Sequence, residues 1–261
     1  MRGARAAVPA ALLFAAVGSA SAVPPTDWVH GASDVPPAAD SDLTEMVAAK
    51  ALGHRLQHRY DLAAREYGIA IARYPDRADF YEDRCLVYLD WDGHDDLALA
   101  DCDKAVGLKD KPIADFFVHR AQAYAGTGRY EEAIHDYDTA LDLDPKTFRG
   151  RLYRCQARAM WGRELDRAWN DCAAYLNQSG GDVLSHEALA LVELRSTHYA
   201  GATSEADKAL AIFAKRAPSL YLRGLAKRRS GDEAGGAADI AAAKAIDAGI
   251  ADEYAKYGVA P

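Results

Sequence analysis

A small residue returns along this chain at a nearly constant interval. It is found at Ala63, Ala98, Ala133, Ala168, Ala202 and Gly236, with successive spacings of 35, 35, 35, 34 and 34. A period of that length means one supersecondary unit repeated in tandem, each copy burying its apolar face only by stacking on its neighbours. Seven residues after each member comes a second small-residue column, Ala70, Ala105, Ala140, Ala209 and Ala243, interrupted by Tyr175 in the fourth copy. Short side chains at fixed positions are what let two helix axes approach closely.

The third copy carries the pattern most fully: Phe117, Arg120, Ala121 and Tyr124, then Gly128-Arg129-Tyr130, Ala133, Tyr137, Ala140-Leu141 and Pro145. The residues from Phe117 to Tyr124 recur at helical spacing, Gly128 supplies a turn, and Ala133 to Leu141 form a second stripe, so one copy reads as helix, tight turn and antiparallel helix. This copy closely resembles the tetratricopeptide repeat. The resemblance implies an all-α fold, a right-handed superhelix or α-α solenoid of about six helical hairpins. The copies are expected at 44–77, 78–113, 114–147, 148–182, 183–216 and 217–249. A short helix at 250–258 is expected to cap the last apolar face, with Ile250, Tyr254 and Tyr257 inward and Asp252, Glu253 and Lys256 outward.

Ahead of the repeats, Arg2 and Arg5 precede an apolar stretch from Ala6 to Val17 and the small residues Ala20-Ser21-Ala22. That is the anatomy of a secretory signal, residues 1–22, cleaved near Ala22. The apolar stretch is too short to span a bilayer, and residues 23–43, with Pro24, Pro25, Pro36 and Pro37, read as a flexible linker. A periplasmic or secreted location follows. The formal net charge is -8, from 31 Lys plus Arg against 39 Asp plus Glu, and removal of the signal makes it -10. A polyanion is repelled by such a surface on average, which argues against nucleic acid as a partner, and no later stretch suggests insertion into a membrane.

Every copy places an acid in its second helix, at Glu66, Asp101, Asp136, Asp171, Glu205 and Asp239, and five copies place a base in the first, at Lys50, Arg84, Arg120, Arg154 and Arg223, with Leu189 in the fifth. The preferred reading is architectural: each base reaches the acid of its own or the adjoining hairpin. His54 and His58 have the spacing of two metal ligands on a helix, but no third ligand follows in a recognisable pattern, and His54 falls in the packing stripe of Tyr88 and Tyr124. The sequence shows no phosphate loop, nucleophile elbow or His-Glu-x-x-His, so neither an enzyme nor a resident cofactor or metal is expected.

Cys85 with Cys102, and Cys155 with Cys172, share a separation of 17. In both hairpins one Cys occupies the small column of the first helix and the other the aromatic column of the second, so the pairs are expected to face each other as two disulfides in an oxidising compartment. Buried thiols are the alternative.

The first helix of each copy has a second stripe: Asp79, Glu82, Leu86 and Leu89; Asp115, Val118, Gln122 and Ala125; Arg149, Leu152, Gln156 and Ala159; Leu184, Glu187, Leu191 and Leu194; Tyr221, Leu225 and Arg228. The resemblance turns this stripe toward the concave side of the superhelix, where an exposed, partly apolar and acidic lining is expected to hold a partner protein or peptide segment with some basic character. The protein's own linker or a second copy, giving a homo-oligomer, is the alternative occupant. The competing function is an enzyme or metal-binding protein whose site assembles only in three dimensions.

Overall fold

The structure, a computed structural model, describes residues 40–147 and 149–260, which form thirteen α-helices and no strand. The signal segment and the linker up to residue 39 lie outside the described residues. The helices pair in sequence as α1 (Asp40–Leu56) with α2 (Tyr60–Arg73), α3 (Ala78–Asp90) with α4 (Asp95–Gly107), and α5 (Ala114–Gly126) with α6 (Tyr130–Leu143). They continue as α7 (Gly150–Trp161) with α8 (Leu165–Ser179), α9 (Val183–Arg195) with α10 (Tyr199–Ile212), α11 (Ala217–Arg229) with α12 (Glu233–Ile246), and end at α13 (Ile250–Lys256). Helix α1 begins inside the stretch read as linker; the sequence there has no Pro or Gly after Pro37 to stop it.

The small-residue ladder is the buried column of the second helices. Ala63, Ala98, Ala133, Ala168 and Ala202 are all 0% exposed, and Gly236 continues the column at a close crossing. A Cβ added to Gly236 would stand 2.6 Å from the Gly224 carbonyl oxygen, so only glycine permits α12 to meet α11 there. The loop joining the two helices of a hairpin holds a residue at positive φ, supplied by Gly in four hairpins, as at Gly128 with φ 78°, and by His58 and Thr197 in the first and fifth. A side chain in that conformation costs about 1–2 kcal/mol, so stacking holds those two turns where glycine would form them freely.

The layers follow from which helices touch. Helix α3 packs on α5, α5 on α7, α7 on α9 and α9 on α11, whereas no two second helices of adjacent hairpins make comparable contact among the described residues. Elements converge on the inside of a curve and spread on the outside, so the first helices form the inner wall and the second helices the outer one. The chain is an all-α solenoid of helical hairpins.

Candidate functional site

The charged ladder lies between the two layers. Arg84 donates through Nε and Nη2 to the two carboxylate oxygens of Asp101 at 2.6 and 2.7 Å. Arg120 meets Asp136 in the same fork at 2.6 and 2.8 Å, Arg154 meets Asp171 at 2.8 and 2.5 Å, and Arg223 meets Asp239 at 2.7 and 2.6 Å. Three of these guanidiniums also reach back with Nη1 to the second helix of the preceding hairpin, at Asp103, Asp138 and Asp207. Each therefore joins three helices, a geometry that the planar five-donor guanidinium allows and an ammonium does not. Lys50 pairs with Glu66 at 2.7 Å in the first hairpin. In the fifth, where Leu189 replaces the base, His186 Nδ1 lies 2.7 Å from Glu205. That substitution sits one helical turn before the aligned position, which a column-by-column reading overlooks.

Beside two of these forks the Sγ atoms of Cys85 and Cys102 are bonded at 2.01 Å, and those of Cys155 and Cys172 at 1.98 Å. Each disulfide closes a hairpin at the crossing of its two helices and stabilises it by about 3 kcal/mol through the lost entropy of the open chain. His58 lies past the end of α1 at φ 56°, so it does not share a helix face with His54, and its Nδ1 meets the Tyr60 hydroxyl at 2.7 Å.

The inner wall differs from the expected exposed stripe. Leu86, Leu89, Gln122, Arg149, Gln156 and Arg228 are half-buried, but Glu82, Val118, Leu152, Leu191 and Tyr221 are buried. The stripe was assigned by removing what each hairpin uses to hold itself together. Consecutive first helices also pack on one another, and that contact seals Val118 and Leu152. The acids of the half-buried part of the wall are concentrated on α3. Asp79 pairs with Lys109, Glu82 with His119 Nδ1, and Asp90 with Arg55. Burial pushes the Asp83 carboxyl up to about 6, with Glu82 adding to the rise.

Along α9 and α11 the channel is filled by the chain's own C-terminal segment. The Tyr254 ring lies 5.1 Å from Tyr221, Ile250 and Val259 are sealed, and Arg229 donates to the Ala260 carbonyl at 2.9 Å. Arg195 Nη2 donates to the Met160 carbonyl at 2.9 Å and also to that of Tyr257. Tyr257 and Lys256 come within electrostatic reach of Asp95 at the start of α4. Glu253, expected to face outward, is 8% exposed and, with Gln156, Met160, Glu187, Arg216 and Tyr257, lines a cavity of about 60 Å³. Nothing within α13 signals this, because the burial comes from the helices around it, α11 and α12 in direct contact and α7 and α9 at the cavity.

No group of three or more potential metal ligands occurs among the described residues, and no described helix is long and apolar enough to cross a membrane.

Solved structures share this fold at low identity. A tetratricopeptide repeat protein from Parabacteroides merdae has a TM-score of 0.67 at 19% identity, with 85% of this chain and 87% of that one covered. PilW, described as a widely conserved type IV pilus biogenesis factor, has a TM-score of 0.67 at 16% identity over 83% of this chain and 99% of that one. YrrB, described as a tetratricopeptide repeat protein with an unusual peptide-binding site, has a TM-score of 0.53 at 18% identity over 67% and 88%. No curated protein matches the chain in sequence. The sequence model of the tetratricopeptide repeat matches residues 114–147, the third hairpin, and the solved structures share the fold of stacked helical hairpins around it.

Proposed function

We propose that this protein is an exported, non-catalytic scaffold that holds a segment of a partner protein against the inner wall formed by α3, α5 and α7. The observation that carries the reading is the contrast along one column of that wall: Leu86, Gln122 and Gln156 stay half-buried, while the equivalent Leu191 on α9 and Leu225 on α11, beside α13, are sealed. A half-open apolar strip bordered by acids suits an extended or helical segment that alternates apolar and basic residues. YrrB, a protein of the same fold described as having an unusual peptide-binding site, supports the reading. Export is supported by the signal-like anatomy of residues 1–22 and by two cysteine pairs at bonding distance, which persist in oxidising compartments.

The test is site-specific crosslinking from cells. A photoreactive side chain placed at Leu86 or Gln122 should capture the same partner band, and one at the exposed outer residue Ile212 should not. Leu86→Arg together with Gln122→Arg should weaken that capture by about tenfold or more while the helical spectrum is retained. Crosslinks from Ile212 alone, or capture undiminished in the folded double variant, would place the partner elsewhere.

A further inference from the structure

Glu253 is buried with no partner assigned to its charge. Its Oε2 makes no hydrogen bond and is sealed from water, and the residue lines the cavity between α7, α9, the start of α11 and α13. The other acid of that cavity is already satisfied: Glu187 receives Nε and Nη2 of Arg216 at 3.0 Å each and the Ser219 hydroxyl at 2.5 Å. Arg216 is thereby committed, and Lys256 on α13 is drawn also to Asp95. The charges facing Glu253 are Asp247 and Asp92, which repel its anion, and Lys256 and Arg216, which favour it. A buried carboxylate short of donors is costly to maintain, so a cavity-lining acid is left that a ligand can satisfy.

The surroundings narrow the ligand. Gln156 offers a second polar group, and Met160 with the Tyr254 and Tyr257 rings gives an apolar, π-rich sleeve. One free carboxylate oxygen does not match the two parallel donors of a guanidinium, but it does match the compact ammonium of lysine, whose methylene stem packs on apolar surface and whose head is attracted to aromatic faces. We propose that this cavity is a subsite for a lysine side chain of the bound partner segment, its ammonium donating to the Glu253 carboxylate and its stem lying along Met160 and the two tyrosine rings. For the source of that lysine the assignment rests on the channel reading above; the cavity itself can be tested without a partner.

Burial, with Asp247 adding, pushes the Glu253 carboxyl up to about 8, so near neutral pH it holds a proton that an arriving ammonium displaces. The experiment is titration of the whole protein with Nα-acetyl-lysine N-methylamide at pH 7, in two buffers of different ionisation heat, alongside the norleucine analogue and n-butylammonium. The lysine derivative should bind with proton release, and the norleucine analogue about tenfold more weakly or worse. Glu253→Gln, isosteric and checked for helicity, should lose about tenfold in lysine binding and all of the proton release. Equal binding of lysine and norleucine, binding unchanged in E253Q, or no binding by any probe would overturn the subsite. Binding of n-butylammonium without the lysine derivative would make it a site for free amines and overturn its assignment to a side chain. If crosslinking from Leu86 and Gln122 finds no partner while the lysine derivative still binds, the channel reading fails and the cavity stands.

Discussion

Leu86 and Leu225 hold the same place in the second and sixth hairpins, yet Leu86 is half-buried and Leu225 is 0% exposed. Between them the same position is Gln122 and Gln156, half-buried, and then Leu191, buried. The inner wall thus closes from its N-terminal to its C-terminal half, and the closure coincides with α13 and residues 257–260 folded back over α9 and α11. One repeated position serves two purposes: a half-buried lining where nothing among the described residues closes over it, and core where the C-terminal segment does. A repeat array permits this because each hairpin depends mainly on its neighbours, so the two ends can differ without altering the unit between them.

The first way to probe the comparison is through what both halves share. Asp136 is 2% exposed, and Arg120 is the cation paired with it, whereas Asp239 receives Lys227 as well as Arg223. Arg120→Ala should cost about 3–5 kcal/mol, the usual consequence of leaving a buried charge unpaired, and Arg223→Ala clearly less. Lys50→Ala, which removes a half-exposed partner of Glu66, should cost under about 1 kcal/mol. Denaturant midpoints measure the order, and an equal loss for Arg120 and Arg223 would show that the second cation on Asp239 contributes nothing.

Next in size is the direct contrast at the repeated leucine. Leu225→Ala should lose about 2–5 kcal/mol through the cavity it leaves, while Leu86→Ala should lose about 1 kcal/mol or less. Comparable losses would mean that the N-terminal strip is covered in solution, by the linker or by a second copy, and sedimentation would separate those two occupants.

The smallest effect isolates α13 by pH. The folded-state value of Glu253 is raised from 4.5 to about 8, so the native state binds the extra proton between those limits and stability falls as pH rises through them. Asp83 acts in the same direction but only up to about pH 6. Between pH 6 and 8.5 the melting temperature of the wild type should therefore drop by a few degrees more than that of Glu253→Gln, which should be the more stable of the two at pH 8.5. Parallel curves would place Glu253 in contact with water and detach α13 from the channel.

The periodicity of the sequence was enough to determine the hairpin and its internal joints. The column from Ala63 to Gly236, the Arg and Asp forks and the two cysteine pairs all depend on residues within one hairpin or the next, where helical geometry fixes which side chains can meet. Their spacing alone therefore carries the information. The inner wall was only half legible. Its residues are legible as a stripe at helical spacing, but the burial of Val118, Leu152, Leu191 and Tyr221 is set by how far successive first helices converge and by what folds back over them. Glu253 is the extreme case: beside Asp252 on a short polar helix it reads as a solvated acid, and it becomes a buried one, with Oε2 unpartnered, because α13 packs beside residues of α7, α9 and the start of α11 that lie far earlier in the chain, such as Gln156 and Glu187. A helix pattern records which face is apolar; which distant surface that face meets, and what is trapped beside it, depends on the curvature accumulated over all six hairpins, and only the tertiary structure decides that.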